Sequence, residues 1–336
     1  MSPAPPTPAL SDLIVVDVHL GPDDLARAMR EEARRGLTAS PKVLSPKWLY
    51  DEVGCQLFDE ITRLDEYYPT RREREILEAR AGEIAEATGA DTLIELGSGT
   101  SEKTRLLLDA FAAAGTLRRF IPFDIAEPTL RSAAAAVAEE YPGTAVHAVV
   151  GDFEHHIGHL PGQLPGGGRR LVAFLGSTIG NLDAAERSRM FGEIAGSLAP
   201  GDALLLGCDL VKDVGRLEAA YNDASGVTAA FNLNILSALN RALDARFDPG
   251  RFAHVASWDP EQEWIDLRLR AQVRHTVPIH GLGLEIAFEA GEEMRTEISA
   301  KFRPEKMACE LEAAGFHLGK FFTDAGSDFG LFLAFR

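Results

Sequence analysis

Apolar positions follow two different rhythms along this chain. From Thr92 to Cys208 they form short, near-continuous runs separated by stretches of helical spacing. Residues 92–96 predict a buried strand, followed by a glycine loop and a helix over about 101–113. Residues 120–124 predict a second strand, and 127–140 an alanine-rich helix; 145–150, 171–175 and 203–207 continue the strand series. Strands covered on both faces read as unbroken apolar runs, and strand–helix–strand units at this spacing wind into right-handed crossovers. A parallel sheet layered by helices is therefore expected. Residues 161–168 have loop composition.

After Cys208 the rhythm changes. Residues 213–247 read as helical, weakened by Gly226, Asn232, Asn234 and Asn240. Then Ile265, Leu267, Leu269, Ala271 and Val273 alternate with Asp266, Arg268, Arg270, Gln272 and Arg274, the period of a strand with one buried face. Further strands hold Leu284, Ile286 and Phe288, and then residues 296–302, making an antiparallel block. A helix over 305–314 and two strands, near 318–323 and 329–335, close the chain. Added to the five parallel strands, they predict an α/β protein with a seven-stranded mixed, Rossmann-like sheet and a second, smaller α+β lobe. The expected division is a disordered tail over 1–20, a cofactor domain over 72–211 plus 303–336, and a substrate domain over 21–71 plus 212–302.

Length supports two lobes, because 336 residues exceed the roughly 250–300 at which single cores stop growing. The balance of 34 Lys and Arg against 51 Asp and Glu leaves a net charge of −17. Nucleic acid and anionic membranes reward clustered cations, so neither is an expected partner. No apolar run approaches the ~20 residues of a membrane span, and the Pro-rich start has no basic residue ahead of its apolar stretch, so no secretory signal is expected. Cys55, Cys208 and Cys309 are few and far apart, which fits a reducing cytoplasm. A cytoplasmic monomer is expected.

The chemistry concentrates at strand ends. Glu95-Leu-Gly97-Ser-Gly99-Thr-Ser101 lies between a strand and a helix, where glycines allow close backbone approach to a ligand. The dinucleotide fingerprint would need a third glycine at 102, where Glu102 stands instead and would repel a pyrophosphate. S-adenosylmethionine, with a sulfonium and an amino-acid end, fits better. Asp124, after the second strand, can accept from both ribose hydroxyls. Asp152 and Phe153 follow the third strand and suit the adenine amino group and ring. Ligands of open α/β sheets bind at this edge, and three such signals at successive strand ends reinforce one another. Lys103 is expected to face the carboxylate of the cofactor.

Segments throughout the chain resemble one family. Ser45-Pro-Lys-Trp-Leu-Tyr-Asp51, Glu66-Tyr-Tyr-Pro-Thr70, Ile94 to Thr104, Phe123-Asp124, Gly151-Asp-Phe153, Phe174-Leu-Gly-Ser-Thr-Ile-Gly-Asn181, Tyr221-Asn-Asp-Ala224 and Thr296-Glu-Ile-Ser-Ala-Lys-Phe302 are similar to the histidine-specific Nα-methyltransferases of ergothioneine biosynthesis. The likeness runs from about Ala26 to Arg336 and implies a class I methyltransferase fold. It also implies three methyl transfers from S-adenosylmethionine to the α-amine of L-histidine, giving hercynine. By position in those motifs it implies cofactor contacts at Gly97, Lys103, Asp124, Asp152 and Phe153, and substrate contacts at Tyr67, Asn181, Tyr221, Glu297 and Ser299, with Tyr50 near the amine. A related branch methylates tryptophan-type substrates, so the pocket residues decide the amino acid. Glu297 and Ser299 are two apart on a strand and share a face; a carboxylate and a hydroxyl there suit the two nitrogens of an imidazole.

Plainer readings compete. Glu297 and Ser299 on a solvated strand face, Tyr67 and Tyr221 as half-buried packing residues, and Asn181 as a turn or cap residue need no ligand. The His155-His156-x-x-His159 cluster lacks metal-ligand spacing, and no metal is expected. A nicotinamide dehydrogenase and a non-catalytic binding module on the same fold are the alternatives from other classes.

Overall fold

The computed structural model describes residues 14–163 and 167–336. In chain order the first elements are β1 (Ile14–Val18), α1 (Pro22–Thr38), β2 (Lys42–Val43), α2 (Glu52–Ile61) and α3 (Pro69–Thr88). The alternating region follows as β3 (Thr92–Leu96), α4 (Arg105–Ala113), β4 (Arg119–Asp124), α5 (Glu127–Glu140), β5 (Ala145–Val150), α6 (Phe153–His156), β6 (Arg170–Phe174), α7 (Ala184–Ser197) and β7 (Ala203–Asp209). Then come α8 (Val214–Tyr221), α9 (Val227–Leu243), β8 (Phe252–Asp259), β9 (Trp264–Ala271), β10 (His275–Ile279), β11 (Leu284–Phe288) and β12 (Glu293–Ala300). The chain closes with α10 (Pro304–Ala313), β13 (His317–Thr323) and β14 (Phe329–Phe335).

The large sheet runs β1-β5-β4-β3-β6-β7-β14-β13. Its first six strands are parallel, and β14 and β13 are antiparallel. Among the described residues the count is eight rather than seven. The extra strand is β1, which pairs in register with β5 from Ile14–Val146 to Val18–Val150. Expected tail residues 14–18 are therefore a sheet edge, because their alternating Ile, Val and Val find a partner strand that local patterning cannot reveal. The rest of that tail, residues 1–13, and Gly166 with its two preceding neighbours lie outside the described residues.

Each sheet face carries its own core. One packs Ile76, Leu77, Leu107, Phe111 and Leu130 against the strands; the other packs Phe191, Ile194, Met307 and Leu311. A third core lies between α9 and a separate four-stranded sheet, β2-β12-β9-β8, with Ile235, Leu236, Ile265, Leu267 and Leu269 at its centre. Strands β10 and β11 form a hairpin beside it.

Two boundaries differ from the pattern-based expectation. The helix after the glycine loop starts at Arg105, not at 101, because Gly99 and Ser101 both take left-handed backbone angles (φ 48° and 53°) that a helix excludes. The expected helix over 213–247 splits in two at Gly226 (φ 75°), where the Asp223 carboxylate accepts the N–H groups of Val227 and Thr228 at 3.0 and 2.8 Å. The break leaves Tyr221 at the end of α8.

Candidate active site

The carboxyl ends of β3, β4 and β5 form one edge. Gly97 (φ 67°) and Gly99 turn the chain out of β3, and Asp124 braces the turn by accepting the Gly99 N–H at 2.8 Å and the Ala126 N–H at 2.9 Å. A carboxylate has about four acceptor positions, so Asp124 keeps capacity for ribose hydroxyls. Phe153 lies 3.9 Å from where a Gly97 Cβ would stand, and its ring meets Phe174 edge-on at 5.4 Å. Asp152 is paired with Lys47 at 3.1 Å, and Lys47 also holds Glu32 at 2.6 Å. The α1–α2 segment is thus tied to this edge. Lys103 is bonded to Glu73, a fully buried carboxylate that also accepts the Gly176 N–H at 2.8 Å.

This edge fits S-adenosylmethionine. Ser98, buried in the glycine loop, has a hydroxyl oxygen with no partner among the described residues, and a cradle of glycines with an unpaired hydroxyl suits a polar ligand. Glu95, under the same loop, is pushed up to about 7 by burial.

A second cavity opens beside it. Its walls include Tyr50, Tyr67, Asn181, Tyr221, Glu297 and Ser299, so all six residues assigned to substrate from the motifs come together. They arrive from five places: the turn before α2, the loop before α3, the Thr178–Asn181 turn after β6, the end of α8, and β12. Phe58, Ile61, Phe231 and Leu267 supply apolar wall. The Tyr67 and Tyr221 rings meet at 6.0 Å, and Tyr50 meets Phe231 at 5.4 Å. Burial, then neighbouring acidic groups and phenols, holds the Tyr50, Tyr67 and Tyr221 hydroxyls well above their ordinary range, so all three stay neutral.

Glu297 reaches the cavity through an irregularity. Glu293 and Arg295, on the same strand, bond Arg268, Arg270 and Asp266 on the ion-paired side of the sheet. Register shifts between Arg295 and Glu297, a β-bulge that turns the following odd-numbered positions to the opposite face. Thr296, at the bulge, is anchored to Asn232 at 2.6 Å. Burial raises the Glu297 carboxyl to about 7, opposed by the Lys301 charge and the Asn181 amide.

Behind Ser299 lies a network that the motif reading passed over. Lys301 is fully buried with Asp209 at 2.9 Å and donates to both Ser299 Oγ and Tyr221 Oη at 2.8 Å. Asp209 also accepts from Tyr68 at 2.9 Å and pairs with Lys212. Lys301 continues the alternation of 297 and 299, and Asp209 is the charged end of an otherwise apolar strand, so both left a signal. Glu73 left none within its Arg- and Glu-rich helix.

In the histidine cluster, His159 stacks on His19 with ring centroids 4.4 Å apart, and His156 Nδ1 lies 3.2 Å from the Asp152 backbone nitrogen. Among the described residues no group of three or more His, Cys, Asp or Glu is arranged to hold a metal ion. Nor is any described helix long and apolar enough to cross a membrane.

A mostly parallel sheet closed by an antiparallel pair, with a glycine loop and carboxylates at its strand ends beside a buried polar cavity, is the architecture of class I S-adenosylmethionine-dependent methyltransferases. The chain belongs to the family of histidine-specific, S-adenosylmethionine-dependent methyltransferases, which matches residues 29–336. It is 57% identical over 318 residues to the histidine N-alpha-methyltransferase of Mycolicibacterium smegmatis, spanning 95% of this chain and 98% of that protein. It is 54% identical to the enzyme of that name from Mycobacterium tuberculosis, over 94% and 97%. Ergothioneine biosynthesis protein 1 of Neurospora crassa is 32% identical over 66% of this chain and 26% of its own length.

Proposed function

We propose that this protein transfers three methyl groups from S-adenosylmethionine to the α-amine of L-histidine, giving hercynine for ergothioneine biosynthesis. The observation that carries this reading is the convergence of Glu297, Ser299, Asn181 and three neutral tyrosines on one buried cavity next to the glycine-loop edge. S-adenosylmethionine supplies an electrophilic methyl group; the chain has to present a neutral amine to it in line. Gly97, Lys103, Asp124, Asp152 and Phe153 would hold the cofactor, with Glu73 bracing Lys103. Asn181 and Tyr67 would fix the amino-acid end through uncharged groups, leaving the amine lone pair free. Positioning of this kind supplies up to ~7–11 kcal/mol of a two-reactant barrier. Glu297 and Ser299 would meet the imidazole ring, and Phe58, Ile61, Phe231 and Leu267 supply apolar wall to the same cavity.

In this reading residues 72–211 plus 303–336 bind the cofactor and 21–71 plus 212–302 bind the substrate, with the three separate cores as support. No metal enters the reaction. We also assign it to the cytoplasm as a monomer, a reading that rests on its three widely spaced cysteines and acidic charge balance. Incubating the purified protein with S-adenosylmethionine and all twenty amino acids tests the whole proposal. A product heavier than histidine by three methyl groups is expected; methylation of tryptophan in preference to histidine would overturn it.

A further inference from the structure

The hydroxyl of Ser299 is constrained by what stands behind it. Its oxygen lies 2.8 Å from Lys301 Nζ and 2.7 Å from Tyr221 Oη, and Lys301 lies 2.8 Å from the same Tyr221 oxygen. A lysine ammonium has three donors and no acceptor. Here the three go to Asp209, Tyr221 and Ser299. The phenol oxygen, conjugated with its ring, has one good acceptor direction, and Lys301 takes it. Either oxygen could donate across that contact, and with the phenol's acceptor direction filled by Lys301 the arrangement favours Tyr221 as the donor toward Ser299. A serine oxygen has two lone pairs, and both are now filled, one by Lys301 and one by Tyr221. The single thing Ser299 has left for the cavity is its O–H.

We propose that Lys301 is a positioning residue that locks Ser299 as a hydrogen-bond donor, so that with the Glu297 acceptor the cavity selects a neutral imidazole in one tautomer, N–H toward Glu297 and bare nitrogen toward Ser299. This rests on the reading of Glu297 and Ser299 as the residues that meet the ring. An imidazolium, with two N–H groups, finds no acceptor at Ser299. A ring with N–H but no second nitrogen leaves the Ser299 hydrogen facing carbon with nowhere to turn. Lys301 itself does not line the cavity. Its removal also leaves Asp209 paired, since Lys212 and Tyr68 remain on that carboxylate.

The test compares histidine with the two pyrrolylalanines that keep an N–H at one ring position and replace the other nitrogen by carbon. kcat/KM for each is measured in the wild type, Ser299→Ala, Lys301→Met, Lys301→Gln and the Ser299→Ala/Lys301→Met double variant. S-adenosylmethionine affinity by calorimetry reports that each variant is folded. The wild type should prefer histidine over the better pyrrolylalanine by about 10- to 100-fold, the range of one unsatisfied buried donor. In Lys301→Met the Ser299 hydrogen can turn back to Tyr221, so most of that preference should vanish. Ser299→Ala should lose it entirely, and the double variant should lose no more than Ser299→Ala. Lys301→Gln, whose amide keeps N–H donors, should retain part of it and carries the test should the methionine variant not fold. A Lys301→Met enzyme that is slower on all three substrates by one common factor overturns the proposal and leaves Lys301 a packing residue. A wild type and a Ser299→Ala variant with the same histidine preference would instead show that Ser299 does not meet the ring, which is failure of the underlying reading.

Discussion

Replacing Glu297 by glutamine separates what the carboxylate does to the fold from what it does for the substrate. The side chain is 8% exposed, and burial lifts its carboxyl from 4.5 to about 7. Between those values the folded protein keeps a proton that the unfolded chain has released, so stability falls as pH climbs through the interval and stays lower above it. At about 1.36 kcal/mol for each tenfold, the fully ionised carboxylate destabilises the free enzyme by roughly 3 kcal/mol. Glutamine has nothing to ionise. The unfolding free energy of Glu297→Gln minus that of wild type should therefore grow by roughly 2–3 kcal/mol between pH 5 and pH 8.5, read from urea midpoints at the two pH values. Other titrating groups, Glu95 among them, cancel in this difference. Histidine turnover should move the opposite way, because a ring N–H given to a carboxylate is worth about 1.5–3 kcal/mol and one given to the neutral glutamine oxygen about 0.5–1.5 kcal/mol. kcat/KM for histidine should drop about 5- to 15-fold at pH 8. A variant whose stability difference is flat with pH would refute the placement of an ionising carboxyl in this cavity. One that shows this gain in stability with pH but turns over histidine normally would refute its contact with the ring.

Asp124→Ala should weaken S-adenosylmethionine binding by about 1–3 kcal/mol by calorimetry, since it removes both the ribose acceptor and the brace on Gly99; unchanged affinity would take Asp124 out of the site. Asn181→Ala should lower kcat/KM for histidine and for tryptophan by a similar factor, whereas Glu297→Ala should shrink the ratio between them; equal losses in both variants would rule out a ring-reading role. Activity should persist in EDTA and rise with pH through the neutral range as a growing fraction of the substrate α-amine loses its proton, a group that titrates near ~8 at peptide termini. Loss with EDTA that a divalent ion restores would contradict the metal-free mechanism.

Local pattern determines much of this protein. Unbroken apolar runs can be satisfied only by strands covered on both faces, so the parallel order from β3 to β7 and the helices on either side are legible without coordinates. So are Gly97, Asp124 and Asp152, because ligand groups of open α/β sheets collect where the chain leaves each strand. The motifs carry the six cavity residues as well, though as a set of names with no geometry. What tertiary structure alone decides are the features set by a partner far along the chain. Strand β1 is a strand because β5 has an open edge. Glu73 reaches the loop ends of two sites through Lys103 and Gly176. Plain alternation from Glu293 would leave Glu297 beside Arg295 on the ion-paired face. A one-residue bulge against β9 reverses that and buries a carboxylate in the cavity instead. Side-chain period is a local property, but where it slips depends on the neighbouring strand and on the Thr296–Asn232 bond. That is why the sequence could name Glu297 and Ser299 as a pair while only the fold could point them at a substrate.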